Sequence, residues 1–160
     1  MTFHCRKTGR LNLNMKDLNV AKNRLNKAGL TLVVVKDDNV IFESKLHGVS
    51  IFLEAIERLD DQLENSSVAD KVVGMAVALL CVHSDIKAVY GETLSRRAKT
   101  FLEENGVYSE STAVVERILN AEKTGTCPFE QLVERVRNPA VAYRKLLQNC
   151  SVNEVAKPKG

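Results

Sequence analysis

The stretch from Val68 to Val82 constrains this chain more than any other. Read as a helix, it carries Val72, Val73, Met75, Val77, Leu79 and Leu80 on all sides, while Gly74, Ala76 and Ala78 keep it thin. A helix that is apolar all round has to be buried, and small residues let it approach a sheet closely. The remaining sequence must therefore supply a sheet and further helices to cover it.

The flanking segments do so. Leu30-Thr-Leu-Val-Val-Val35 is β-branched and apolar, which predicts a strand buried on both faces. Lys36-Asp-Asp-Asn39 has turn chemistry and Val40 to Lys45 reads as a second strand, making an antiparallel hairpin. Val49, Phe52, Leu53, Ile56, Leu59 and Leu63 repeat at helical spacing over 49–64, and Asn65-Ser-Ser67 breaks that helix. Beyond the central helix, Ile86 to Tyr90 predicts a third strand. Ser95 caps a helix to Asn105 that Gly106 stops, and Ala113 to Leu119 predicts a fourth strand. Cys127 to Arg137 reads as a helix. Asn138-Pro139, a cap followed by proline at the first helical position, opens a last one to Gln148. The pattern is that of an α/β fold in three layers, α/β/α, with a mixed central sheet.

Upstream, Asn14 caps a short helix to Ala28, with Leu18, Ala21, Leu25 and Ala28 on one face and Gly29 as its stop. Residues 1–29 hold seven Lys or Arg against one acid, Asp17, while the net charge of the whole chain is +3. The expectation is a basic extension over 1–29, a domain over 30–148 and a disordered tail over 149–160. A basic arm can meet nucleic acid, but only Phe3 is available there to stack on bases, so nucleic acid is not the expected partner.

Composition narrows the setting. With 160 residues, 44% of them hydrophobic and 27% charged, the chain suits one globular domain. No run approaches the roughly 18 apolar residues of a membrane span, and the N-terminus has no signal-peptide core. A cytoplasmic protein without a membrane partner is expected. Cys5, Cys81, Cys127 and Cys150 are widely spaced with no C-x-x-C among them, which suits reduced thiols and neither a disulfide framework nor a zinc ribbon.

The sequences Val33-Val-Val-Lys-Asp-Asp-Asn-Val-Ile-Phe-Glu-Ser44, Gly48-Val49, Ala69-Asp-Lys-Val-Val-Gly74 and Thr124-Gly-Thr-Cys-Pro-Phe-Glu130 carry a resemblance. In these, over residues 30–148, the chain resembles an uncharacterised prokaryotic family, a domain of unknown function with the cytidine deaminase-like fold. A zinc deaminase of that fold needs a His or Cys ligand and a Glu at the start of the central helix. It also needs a P-C-x-x-C pair after the third strand. Val68-Ala-Asp-Lys71 and Gly91-Glu-Thr-Leu-Ser-Arg96 offer none of these, and His4, His47 and His83 lie elsewhere. The resemblance therefore implies the fold without zinc deamination, and no metal or cofactor is expected.

In open α/β sheets ligands gather at the carboxyl ends of strands and the amino ends of helices. Asp70 and Lys71 are expected there as an acid–base pair, with Lys71 on an apolar helix able to lose its proton readily. Against this, Ser67-x-x-Asp70 also matches a capping box. Thr124, Gly125 and Thr126 lead into a helix whose amino end favours an anion and would activate Cys127 as a nucleophile, with Glu130 beside it. A capped helix with an inert cysteine is the plainer alternative. Glu92, with Thr93, is a third ligand-binding candidate. Arg96 and Arg97 occupy a helix first turn that disfavours cations. The function expected is binding of a small anionic or nucleotide-like ligand at Asp70, Lys71 and Cys127. A non-catalytic homo-oligomeric interaction module is the alternative.

Overall fold

The computed structural model describes the backbone of residues 3–156 and the side chains of residues 15–150. Its elements are α1 (Phe3–Ala28), β1 (Leu32–Lys36), β2 (Asn39–Ser44), α2 (Val49–Leu59), β3 (Ser67–Val73), α3 (Met75–His83), β4 (Ala88–Ser95), α4 (Arg96–Glu104), β5 (Tyr108–Val115), α5 (Pro128–Leu132) and α6 (Pro139–Ala156). The strands form one sheet in the order β2-β1-β3-β4-β5. β1 runs antiparallel to both its neighbours, while β3, β4 and β5 are parallel. The sheet is mixed and lies between helices.

β1 divides the core as a doubly buried strand must. Val33 and Val35 point to one side, with Leu18, Ala21 and Leu25 of α1. Leu32 and Val34 point to the other, with α2 and α3. The residues expected along the apolar stripe of α1 are thus the ones that meet the sheet. Three of its basic residues are spent on acids of the sheet and its hairpin turn. Arg24 Nε and Nη2 donate to Glu43 at 2.9 and 3.2 Å, and Lys16 and Lys22 face Asp38 and Glu110 at 3.9 and 4.0 Å. Part of the basic excess over 1–29 is therefore internal to the fold. The side chains of Phe3, Arg6, Lys7 and Arg10 lie outside the described residues.

The stretch from Val68 to Val82 is not one helix. It splits at Gly74 into a central strand, β3, and the buried helix α3. Short apolar runs fit either state by periodicity, and here the pairing options decide. β1 and β4 stand ready on either side, and β3 bonds to both. The helical reading holds from Met75, where every residue to Cys81 is buried.

Other boundaries move for related reasons. β4 continues through Gly91-Glu-Thr to Ser95 because it has a parallel partner on each side. The fourth strand expected at 113–119 is β5, which starts earlier, at Tyr108. Its Ser, Glu and Thr residues are tolerable because an edge strand need not be apolar. The helix expected over 127–137 is the single turn α5. The helix expected to end at Gln148 runs to Ala156, and residues 157–160 lie outside the described ones. The helix over 49–64 ends at Leu59 and tightens into a 3-10 turn over Asp60–Leu63.

The hairpin turn shows how α1 is tied to the sheet. Asp37 and Asp38 both have positive φ, 50° and 68°, as the tight primed hairpin turn demands. The buried carboxylate of Asp17 accepts their two backbone N–H groups, at 3.1 and 2.9 Å. Replacing Asp17 with Ala leaves the turn uncapped beneath the helix and should cost about 1–3 kcal/mol. Asp17→Asn, keeping one acceptor, should recover part of that. Urea denaturation of the three proteins measures both.

Candidate functional site

The site forms where β3 ends and α3 begins. Gly74 sits at that junction as the N-cap of α3, without a side chain to satisfy the first amides of the helix. A residue more than fifty positions away does so instead. The Glu130 carboxylate accepts the N–H of Met75 through Oε1 and that of Ala76 through Oε2, each at 2.7 Å. It can do so only because residue 74 is glycine. A Cβ there would lie 2.2 Å from Glu130 Oε1 and 2.8 Å from Ile118 Cγ1. The turn of α5 is thus locked face-on to the amino end of the buried helix.

Beside this lock lies a cavity of about 210 Å³. Its walls are mostly apolar, with Leu32, Ile51, Val77 and Phe129 among them, and its polar residues are Asp70, Lys71, His47, Cys127, Glu130 and Thr31, whose hydroxyl is taken up by the Ser44 and Leu46 carbonyls. The half-exposed Val72 and the exposed Leu46 stand at its rim. Asp70 is the chemically unusual group. It follows Val68 on the α3 side of β3 and keeps only part of its surface open, and its one described side-chain hydrogen bond is from the Val72 N–H at 3.2 Å. Apolar surroundings push its carboxyl up from the ordinary 3.8 to about 7, against the opposing pull of the Val72 and Lys71 amides. Burial, and behind it the charge of Asp70, also pushes the Cys81 thiol well up, so that Cys81 stays a protonated core residue.

The structure gathers some of the expected residues and leaves others out. Asp70, Lys71, Cys127 and Glu130 share the cavity. Lys71, however, is exposed on a strand, so the burial that its expected role as a base required is missing. No ion pair joins it to Asp70 among the described residues. Nor is Asp70 part of a capping box, because no helix starts there. Glu130 does not await an anion: it is itself the anion at the head of a helix.

Cys127 is a half-buried free thiol just before Pro128, and the five-residue α5 offers little aligned dipole to activate it. Thr124 and Gly125 are not cavity residues. They close a small loop in which Asn120 bonds to Thr124 through side chain and backbone and to the Gly125 carbonyl. The Thr126 carbonyl accepts from Gln131 Nε2, and Thr126 lies in a neighbouring groove with Glu130. Glu92 is exposed within β4 and belongs to none of these hollows.

Two participants escaped the sequence reading. His47 enters the cavity from the loop after β2, and no local pattern marks it. Gly74 carries a visible signal, a glycine between Val73 and Met75, which the all-apolar helical pattern over 68–82 hides. The segments expected from the sequence as the head of the central helix and the turn after the third strand also shift. The head of α3 is Gly74-Met-Ala76 and the strand-to-helix turn after β4 is Ser95-Arg-Arg97, again without His or Cys. Among the described residues no group of three or more His, Cys, Asp or Glu could hold a metal ion, and no helix is long and apolar enough to cross a membrane.

Glu130→Ala should cost about 2–3 kcal/mol by orphaning two amides of a buried helix. Gly74→Ala should cost at least as much, through collision with the same carboxylate. In the double variant the two losses should add to less than their sum, because removing Glu130 removes most of the clash; denaturant titration of all four proteins reads this coupling. For Asp70, the unfolded chain loses its proton near pH 4 and the native protein only near 7. Between those values the native state binds more protons, so stability falls as pH rises, by at most on the order of 4 kcal/mol. Asp70→Asn should abolish that slope and be more stable than the wild type above pH 7, as thermal denaturation at pH 5 and pH 8 will test.

Comparison with known proteins places this geometry in a family. A family model described as a domain of unknown function, DUF1893 (TM1506), matches residues 20–150. The crystal structure of a DUF1893 family protein (TM1506) from Thermotoga maritima superposes with a TM-score of 0.77 at 28% identity, covering 84% of this chain and 90% of that one. Fainter likenesses extend to a dCMP deaminase from the cyanophage S-TIM5, in apo form (TM-score 0.44, 13% identity, 62% of this chain and 97% of that one). RibD from Acinetobacter baumannii is similar at the same level (0.42, 17%, 64% of this chain and 34% of that one). No curated protein matches the chain.

Proposed function

This chain belongs to the DUF1893 family, and we propose that it binds a small heterocycle in the cavity beside Asp70, with any anionic substituent of that ligand left at the mouth near Lys71. The observation that carries this is the Asp70 carboxyl in a largely apolar hollow, with no ion pair to it among the described residues. Keeping an acid there costs stability at neutral pH, and such a cost is characteristic of functional sites.

Size and chemistry define the ligand. A cavity of about 210 Å³ takes one or two fused rings and not a whole nucleotide. A neutral carboxyl offers an O–H donor next to a C=O acceptor. Its complement is a flat edge with an acceptor beside a donor, as in a ring amide or an amino-substituted ring nitrogen. The carboxylate of Glu130 already fills the anion position at the head of α3, so a phosphate or carboxylate has no place inside. Lys71, exposed at the edge, is the cation that an anionic substituent would meet. The reading is therefore nucleotide-like: ring within, charge without.

The test is calorimetric titration with free nucleobases and their nucleoside monophosphates at pH 6 and pH 8. Wild type should bind more weakly at pH 8, because Asp70 loses its proton. Asp70→Asn, which keeps a donor beside an acceptor, should bind equally at both values, and Asp70→Ala should lose at least tenfold. Unchanged binding in Asp70→Ala, or none by the wild type, would sink this reading.

A further inference from the structure

The two edges of the sheet are not alike. β2, at one edge, has six residues, bulges at Ile41 opposite the step from Val34 to Val35, is followed by Lys45, and has its one charge, Glu43, held by Arg24. Short length, irregularity and a flanking lysine are the usual means of preventing an edge from pairing. β5, at the other edge, has none of them. It is eight residues long, Tyr-Ser-Glu-Ser-Thr-Ala-Val-Val, with no proline or basic residue, and follows β4 without a register shift. Its one charge, Glu110, is occupied by the Tyr108 hydroxyl at 2.8 Å and Lys22 at 4.0 Å.

Among the described residues no strand pairs with the outer backbone groups of β5, and the described chain after Val115 does not turn back to bond them. After Val115 it heads inward over the ends of the strands, bringing Ile118 to Gly74. Thr112, Ala113 and Val114 are left exposed on a regular strand.

We propose that β5 pairs antiparallel with β5 of a second copy of this chain, joining the two sheets into one. A second copy fits because the strand is complementary to itself. A two-fold axis through Thr112, perpendicular to the sheet, sets Ser111 opposite Ala113, Glu110 opposite Val114 and Ser109 opposite Val115. No like charges meet, and each pair matches a small or polar residue with an apolar one. The exposed side of Val114 is covered in both copies. This interface is independent of the Asp70 cavity, which lies across β3 on the other side of β4.

Sedimentation of the full chain over a range of micromolar concentrations tests the proposal. A reversible dimer of twice 17.8 kDa is expected. Ala113→Lys puts an ammonium group from each copy beside the two-fold axis at an exposed position, and should weaken the dimer at least tenfold with no loss of fold by circular dichroism. Hydrogen exchange on the wild type gives a reading that needs no variant: the amides of β5, and not those of β2, should become at least tenfold better protected as concentration rises. A monomer at every concentration overturns the proposal. So does a dimer that Ala113→Lys leaves intact and in which β5 exchange ignores concentration.

Discussion

The contact on which the site depends is the one between Glu130 and the head of α3. A helix buried on every side cannot use water to satisfy its first amides, so something in the protein must. The sequence around Gly74 supplies no capping side chain, and the acceptor comes from α5. One carboxylate thereby does two jobs. It completes the hydrogen bonding of the central helix, and it fixes the otherwise irregular stretch after β5 over the carboxyl ends of the strands. Ile118, Cys127 and Phe129 reach the cavity as part of that stretch. Without the glycine there would be no room for the carboxylate, and the wall would keep only its packing, through Phe129, Leu132 and Val133, and its own internal hydrogen bonds.

Asp70 is the opposite case. Glu130 is a charge whose cost is met by two N–H groups and a helix end; Asp70 has only amides of its own strand, those of Val72 and Lys71, and mostly apolar neighbours. An asparagine or a valine there would fold at least as well by any argument from packing. The two carboxylates stand at one junction, yet one stabilises the fold and the other strains against it. That contrast separates the two acids more sharply than their sequence contexts do.

Much of the layering was legible in the sequence. The doubly apolar Leu32–Val35 run, the stripe of Leu18, Ala21 and Leu25, and the Ser95 cap with Gly106 stop all reflect local chemistry, and local chemistry is what a sequence displays directly. The errors came where tertiary partners decide. Ser67–Val73 is a strand because β1 and β4 flank it, and Tyr108–Thr112 is a strand because an edge position forgives its polarity. In the candidate site, Asp70, Cys127 and Glu130 were found through the family motif. Their roles were not, because an acceptor fifty-five residues from its donor leaves no trace in spacing. His47 could not have been found at all, since only the packing of the loop after β2 brings it to the cavity.

The two acids together also limit what kind of ligand the fold can accept. An amino end of a helix at the carboxyl edge of a parallel sheet ordinarily draws phosphate or carboxylate. Here Glu130 has taken that position, so the strongest electrostatic feature of the site is neutralised from within. What remains inside is the Asp70 carboxyl, held well above its ordinary range by burial, and under the proposed reading it would select more by hydrogen-bond pattern than by charge. Discrimination of that kind suits an uncharged ring, and it leaves Lys71, outside on the rim, as the nearest place for a charged group to be recognised.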